Sequence, residues 1–518
     1  MRNALLPILL LLFSITSCTK AKHDQTFRFV LTSEPPSLDW SLATDHVSAD
    51  ILVNIMEGLV IFDNNLKPQP AMAEKWDVSP DGKTYTFHIR KNIKWNDGKP
   101  LTAHDFYYSW QRLLDPKTAA EYAYFLFDVK NAQEFNSGKL KDFSKVGLKV
   151  VDNYTFQVEL SHPASYFINV PTFWVTFPMR KDIVEKFGPN WTDPQNIVTA
   201  GPFILSDWKH DAKVTLTRNP TYYGTPAIPE KIEALIINED ITAISLFETD
   251  KVQLIRRIPP LELQRFKNKP EYINAPYLRG YYYGFNVNKP PFDNPKVRQA
   301  FSYAIDRKQI VSILKGGQIP ATSWVPKGMF GFEPGVGIGF DSKKARSLLA
   351  EAGYPDGKGL PKITLYFDSR DDNRLVAEKV QSLWKEHLGI EVTLENAEWK
   401  VYLKQLQTDT PQVWRLGWGA DYPDPHNFLE LFTSYSGNNN THWKNQTYDT
   451  LINEGAKEFD RNKREEIYRD AQILLTEKDV PMMPLFYEAQ NILLKPYVKG
   501  FQPNAMNILI LKNVEMDS

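Results

Sequence analysis

The stretch "VQSLWKEHLGIEVTL", Val380 to Leu394, changes its hydrophobic period halfway along. Val380, Leu383, Trp384 and Leu388 recur at three- and four-residue steps, the spacing that lines one face of a helix. Gly389 can take the left-handed backbone that stops a helix, and the β-branched "IEVTL" after it reads as a strand. Helix, glycine, strand is the grammar of an α/β layer.

Outward from there the same signals repeat. Asn294 followed by Pro295 caps a helix whose apolar side is Val297, Ala300, Phe301, Ala304 and Ile305. Asp341 opens another through Ala345, Leu348, Leu349 and Ala352, closed by Gly353. Residues from about Gly280 to Tyr487 are therefore expected to form a separate α/β unit. Earlier sequence is richer in strands. Tyr85, Phe87 and Ile89 alternate with Thr84, Thr86 and His88, and Phe156, Val158 and Leu160 alternate inward after a turn at Asp152-Asn153.

A chain of 518 residues exceeds one ordinary core, and its length suggests roughly three domains or lobes. Composition is globular, with 42% hydrophobic and 24% charged residues, which argues against disorder over most of the length. Lys and Arg total 61 against 62 Asp and Glu, so no basic stripe marks a nucleic-acid footprint and DNA or RNA partners are set aside. The 24 Tyr and 13 Trp exceed ordinary need; they either fill several cores or line a binding surface, where a rigid ring covers area at small entropic cost.

"MRNALLPILLLLFSITSC", Met1 to Cys18, has a basic start, an apolar middle and small polar residues before its end. It reads as a secretory signal over 1–17, too short for a membrane span. Cys18, the single cysteine of the chain, resembles the acylated cysteine of a bacterial lipobox, with a polar tether to residue 26. An exported, lipid-anchored protein in the periplasm or cell envelope is expected, without disulfides or cysteine-held metal once that thiol is acylated.

Catalytic patterns are missing. No H-E-x-x-H, G-x-S-x-G or Walker loop occurs, and "GVGIGF" (Gly335 to Phe340) follows Pro334 instead of joining a strand to its helix, so it reads as an irregular loop. No enzyme activity, cofactor or metal is expected; the competing reading is a secreted peptide hydrolase.

Five segments carry a resemblance. "AEKWDVSPDGKTYTFHIRKNIKWNDGKPLTAHDFYYSWQRLLDP" (Ala73 to Pro116), "NIVTAGPFIL" (Asn196 to Leu205), "RNPTYYG" (Arg218 to Gly224), "NKPPFDNPKVRQAFSYAIDR" (Asn288 to Arg307) and "GWGADYPDPHNFL" (Gly417 to Leu429) stand in the order found in the peptide-binding lipoproteins of bacterial ABC importers, solute-binding protein family 5. The resemblance implies an α/β, periplasmic-binding-protein-like fold of the cluster C type, with two large lobes around a hinge and a smaller extra domain. It places lobe I in 27–56, 181–278 and 489–518, lobe II in 57–180 and lobe III in 279–488. It also implies a monomer that closes over a short peptide, holds no cofactor and delivers its ligand to an ABC permease.

Site residues follow from the same resemblance. Asp421 of the "ADY" triplet matches the acid that pairs with a peptide's α-ammonium. Such a charge in a closing cleft is costly until paired, and the alternative is a local Asp-Tyr-Pro turn. Gly417, Trp418 and Gly419 would offer backbone groups to an extended peptide. Arg415 matches a cation for the peptide's C-terminal carboxylate, or else pairs with a structural acid. Tyr122, Tyr282 and Trp399 match aromatic cleft positions or are core, and His46 belongs to the segment that meets the ligand from lobe I. Departures fall at Leu406 and near Asp372, where broad-range members carry cations, at Glu488, where they carry tyrosine, and at Arg256 and Arg257, where they carry small polar residues. Together these departures predict a ligand shifted toward short peptides or toward one with an extra carboxylate, such as a cell-wall peptide.

Overall fold

The structure, a computed structural model, describes residues 26–517. The expected signal segment and Cys18 lie outside the described residues, and Thr26, expected to end the tether, already begins a strand.

An eleven-stranded mixed sheet forms the spine. In chain order its strands are β1 (Thr26–Leu31), β2 (Phe203–Lys209), β3 (Lys213–Arg218), β4 (Lys231–Ile236), β5 (Leu254–Ile255), β6 (Tyr272–Phe285), β7 (Ile319–Pro320), β8 (Ile363–Asp368), β9 (Val392–Ala397), β10 (Val413–Gly419) and β11 (Met482–Leu494). Across the sheet they run β9-β8-β10-β6-β11-β5-β1-β4-β3-β2, with β7 on β11. A separate antiparallel sheet of four strands comes from residues 73–89 and 148–159. Its strand Thr84–Ile89 buries Tyr85, Phe87 and Ile89 as alternation requires.

Six helices matter below: α1 (His46–Ile55), α2 (Pro295–Tyr303), α3 (Ser342–Glu351), α4 (Asp371–Leu388), α5 (Trp399–Thr408) and α6 (Pro425–Leu429). Asn294 and Asp341 cap α2 and α3 by accepting backbone N–H bonds. Gly389 ends α4 in the left-handed conformation, and β9 follows three residues later. The opening stretch therefore folds as its period change predicts.

The expected separate α/β unit is continuous with the rest through two long strands, β6 and β11, which pair antiparallel from Tyr272↔Leu493 to Gly284↔Met482. Their register shifts between Pro276 and Gly280, a bulge that bends both strands. Before it they join β5 and β1; beyond it they carry β10 and β8. Beyond the bulge side chains alternate between two cores. Tyr281 and Tyr283 pack with α2, α3 and α4, whereas Tyr282 packs with Trp324, Trp414 and Phe432 on the other face.

Candidate functional site

β10 explains why glycines end this strand. It pairs with β6 along its whole length, from Phe285↔Val413 to Arg279↔Gly419, but with β8 only at Leu365↔Val413 and Tyr366↔Trp414. β8 then stays with β9, so the edge of β10 beyond Trp414 is left without a strand. The first outward-facing residue is Arg415, whose backbone N–H is taken by the Tyr402 hydroxyl at 3.0 Å and whose carbonyl accepts from the same hydroxyl. Gly417 and Gly419 come next on that edge, because alternate residues face away from the partner strand. Ala420 confirms the phase, its N–H donating back to Leu278 at 2.8 Å.

Two residues past the strand stands Asp421. Its backbone N–H donates to Asn427 Oδ1 at 3.0 Å, and Asn427 Nδ2 approaches its carboxylate at 3.4 Å. The same Asn427 oxygen accepts from Trp418 Nε1 at 3.0 Å, tying the strand end to α6. Among the described residues no cation pairs with Asp421. Burial pushes its carboxyl up to about 7, with only Asn427 pulling the other way. Although the residue keeps some surface, that surface opens into a cavity of about 450 Å³. His46 and Asp50 of α1, Phe173, Trp174 and Met506 are among its walls. Asp421 lies near enough to Tyr122 for its charge to raise that hydroxyl's pKa, after burial, and Tyr122 packs on Phe173 at 5.4 Å.

His46, the first residue of α1, is exposed by area, but the cavity takes that area. Burial first, then Arg279 and Arg256, lower its imidazole to about 4, so it is neutral at physiological pH. Arg279 of β6 reaches over the strand end: built onto Gly419, a Cβ would lie 3.5 Å from its Nη1, and onto Gly417, 3.6 Å from its Nη2. Glu488 holds Arg279 Nε at 3.1 Å.

Other expected site residues go elsewhere. Arg415 meets the structural acid named as its alternative: its guanidinium is buried, bonds Asp368 at 3.0 Å because β8 delivers that acid beside it, and lies 4.4 Å over the Tyr281 ring, while its Nε has no partner among the described residues. Tyr282 likewise takes its alternative, the core. Facing the core side of β6, it is 3% exposed and wedged among Trp324, Trp414 and Phe432. Arg256 is bonded to Asp50 and Asn507, and Arg257 to Asp240 at 3.1 Å, so neither is a spare cation. Trp399 is 45% exposed at the start of α5, stacked on Tyr402 at 6.0 Å. Leu406 is core, and Asp372 is held by Arg370, a cation standing two residues from the expected gap.

Sequence reasoning missed Arg279, Tyr402, Asp368 and Asn427. The only local signal was Arg279 itself, a charge between Leu278 and Gly280 in an otherwise aromatic strand.

Comparison with known proteins gives the family. The family model described as bacterial extracellular solute-binding proteins, family 5, matches residues 67–440. The periplasmic oligopeptide-binding protein OppA of Salmonella typhimurium is 38% identical over 482 residues, covering 90% of this chain and 88% of that one. The periplasmic murein peptide-binding protein MppA of Escherichia coli is 32% identical, covering 92% and 90%. The crystal structure of Haemophilus influenzae OppA in complex with RPPGFSPFR superposes with a TM-score of 0.83 at 31% identity, covering 96% of this chain and 99% of that one. This chain belongs to the bacterial extracellular solute-binding proteins of family 5.

Proposed function

We propose that this protein captures peptides as an added strand on the free edge of β10, with the α-ammonium on Asp421, and passes them to an ABC permease. One observation carries the reading: an enclosed carboxylate without a cation, pushed up to about 7, stands just past a strand whose last outward residues are glycines. An ammonium entering the cavity would restore the charge partner, and main-chain bonds to Gly417 and Gly419 would hold any sequence alike. The peptide-binding relatives, OppA and MppA, and the peptide held in the Haemophilus influenzae OppA complex support the ligand class.

The lobes bounded near 278/279 and 488/489 meet at the bulge in β6 and β11, which makes those strands the hinge. Lobe II, 57–180, closes the cavity with Phe173 and Trp174, on which Tyr122 packs. Cys18 anchors the mature monomer to a membrane by lipid, and the protein binds without catalysis. A murein-peptide receptor is the second reading, favoured by the likeness to MppA.

Titration calorimetry with trialanine tests the main claim. Asp421→Asn, or N-acetylation of the peptide, weakens binding at least tenfold, on the order of 1.4 kcal/mol or more. Unchanged affinity in both arms removes the assignment.

A further inference from the structure

Arg415 is buried, with Nη1 on Asp368 and, among the described residues, Nε without a partner; a second guanidinium, more exposed, stands over the end of β10. Among the described residues Arg279 spends only its Nε, on Glu488 at 3.1 Å, and no acceptor takes Nη1 or Nη2. Those two nitrogens sit over Gly417 and Gly419, at van der Waals distance from where a Cβ on each would stand. The side chain is half-buried, 25% exposed, so the fork is neither solvated freely nor sealed in the core. A guanidinium with an open planar fork matches a carboxylate with two parallel bonds.

Position sets the ligand's length. Gly419 and Gly417, under the fork, are two and four residues from Asp421, at most roughly 7 and 14 Å along an extended chain. A di- or tripeptide covers roughly 7–10 Å between its ends; a longer extended chain would have to pass the fork.

Resting on the peptide reading above, we propose that Arg279, positioned by Glu488, receives the C-terminal carboxylate of a di- or tripeptide whose ammonium lies on Asp421. The pair thereby makes this cleft selective for short peptides with a free C-terminus. His46 faces the same guanidinium from α1 and, being neutral, can accept or donate one further bond without repelling it. Glu488 serves as a positioning residue: it fixes Nε and turns the remaining fork toward β10.

The test is calorimetry on the full mature chain with alanine peptides of two to five residues, each as free acid and as C-terminal amide. For the wild type, dialanine or trialanine binds at least tenfold more tightly than its amide, and than pentaalanine. Arg279→Gln lowers affinity for the acids at least tenfold and binds acid and amide alike. Glu488→Gln, which keeps the guanidinium, retains the preference for the acid; this variant also guards against a loss caused merely by disturbing the pair. If Arg279→Gln keeps the full preference for the acid, or if the wild type ignores amidation while N-acetylation still abolishes binding, the proposal falls and the Asp421 assignment stands. Equal affinity for trialanine and pentaalanine overturns the length selection. If no peptide binds and N-acetylation changes nothing, the peptide reading fails and takes this one with it.

Discussion

Asp421 combines two properties that pull against each other: a position walled by protein and a charge that wants a partner. Its carboxyl is pushed up to about 7 by burial, so near neutrality the empty site is a mixture of acid and carboxylate. A peptide ammonium favours the carboxylate, and binding therefore expels a proton. Affinity for a free-amino peptide should rise above about pH 6 to a maximum between the Asp421 carboxyl and the peptide's own α-amino group and fall above about pH 8, where that amine loses its proton, whereas an N-acetylated peptide shows no such optimum. Calorimetry in two buffers of different ionisation enthalpy measures the released proton directly. Stability without ligand carries the opposite sign. A carboxyl whose folded pKa is raised holds more protons folded than unfolded, so its contribution is complete below about pH 4 and is lost as pH climbs through 7. Asp50, raised to about 6, adds a parallel loss. Asp421→Asn should remove part of the decline in melting temperature between pH 5 and pH 8, and an unchanged decline would show that this carboxyl is solvated.

At the scale of elements, the end of β10 is built by exclusion. β8 turns to β9 after Tyr366, Tyr402 occupies the Arg415 backbone, and Gly417 and Gly419 are left on the edge. The two glycines do different jobs. A Cβ on Gly417 would come within 2.9 Å of the Gly280 carbonyl across the β6 pairing, so Gly417→Ala must displace backbone. One on Gly419 meets only Arg279 and the Tyr277 hydroxyl at ordinary distances of 3.5 and 3.9 Å. Denaturant melts should find Gly417→Ala destabilised by about 1–3 kcal/mol and Gly419→Ala within about 0.5 kcal/mol of the wild type. Elements of this kind were legible beforehand where a local period sufficed, as in α4-Gly389-β9 or the strand at Tyr85. The reason for Gly417 was not, because it lies in β6, reached only through the β6–β10 pairing.

The whole molecule is held around the cavity by contacts between residues 57–180 and the segment after Asp421. Tyr166 stacks on His426 at 4.2 Å and on Tyr422 at 5.4 Å, and Ser165 donates to the Ala456 carbonyl through its N–H at 2.9 Å. Farther out, Phe459, 54% exposed, leans on Gly82. Under the proposed hinge motion these contacts exist only in the closed form. A ligand shifts closure only through its preference for that form, and loss of a closed-form contact appears as loss of affinity. Phe459→Ala touches no ligand and little core; it should leave the melting temperature of the free protein unchanged while lowering peptide affinity about two- to fivefold. Small-angle scattering should show a smaller radius of gyration when peptide is added, and an identical radius with and without a saturating ligand would rule out the hinge at the bulge.

The chain's order of residues determined what depends on near neighbours: the helix period and its glycine stop, strand alternation, caps at Asn294 and Asp341, and a family pattern that singled out Asp421. Tertiary structure decided which charges were already spent. Asp368 lies 47 residues before Arg415, Asp50 lies 206 before Arg256, and Glu488 lies 209 after Arg279. An ion pair requires a few ångströms of approach, and such approaches follow from strand register and the bulge in β6 and β11, which no run of nearby residues encodes.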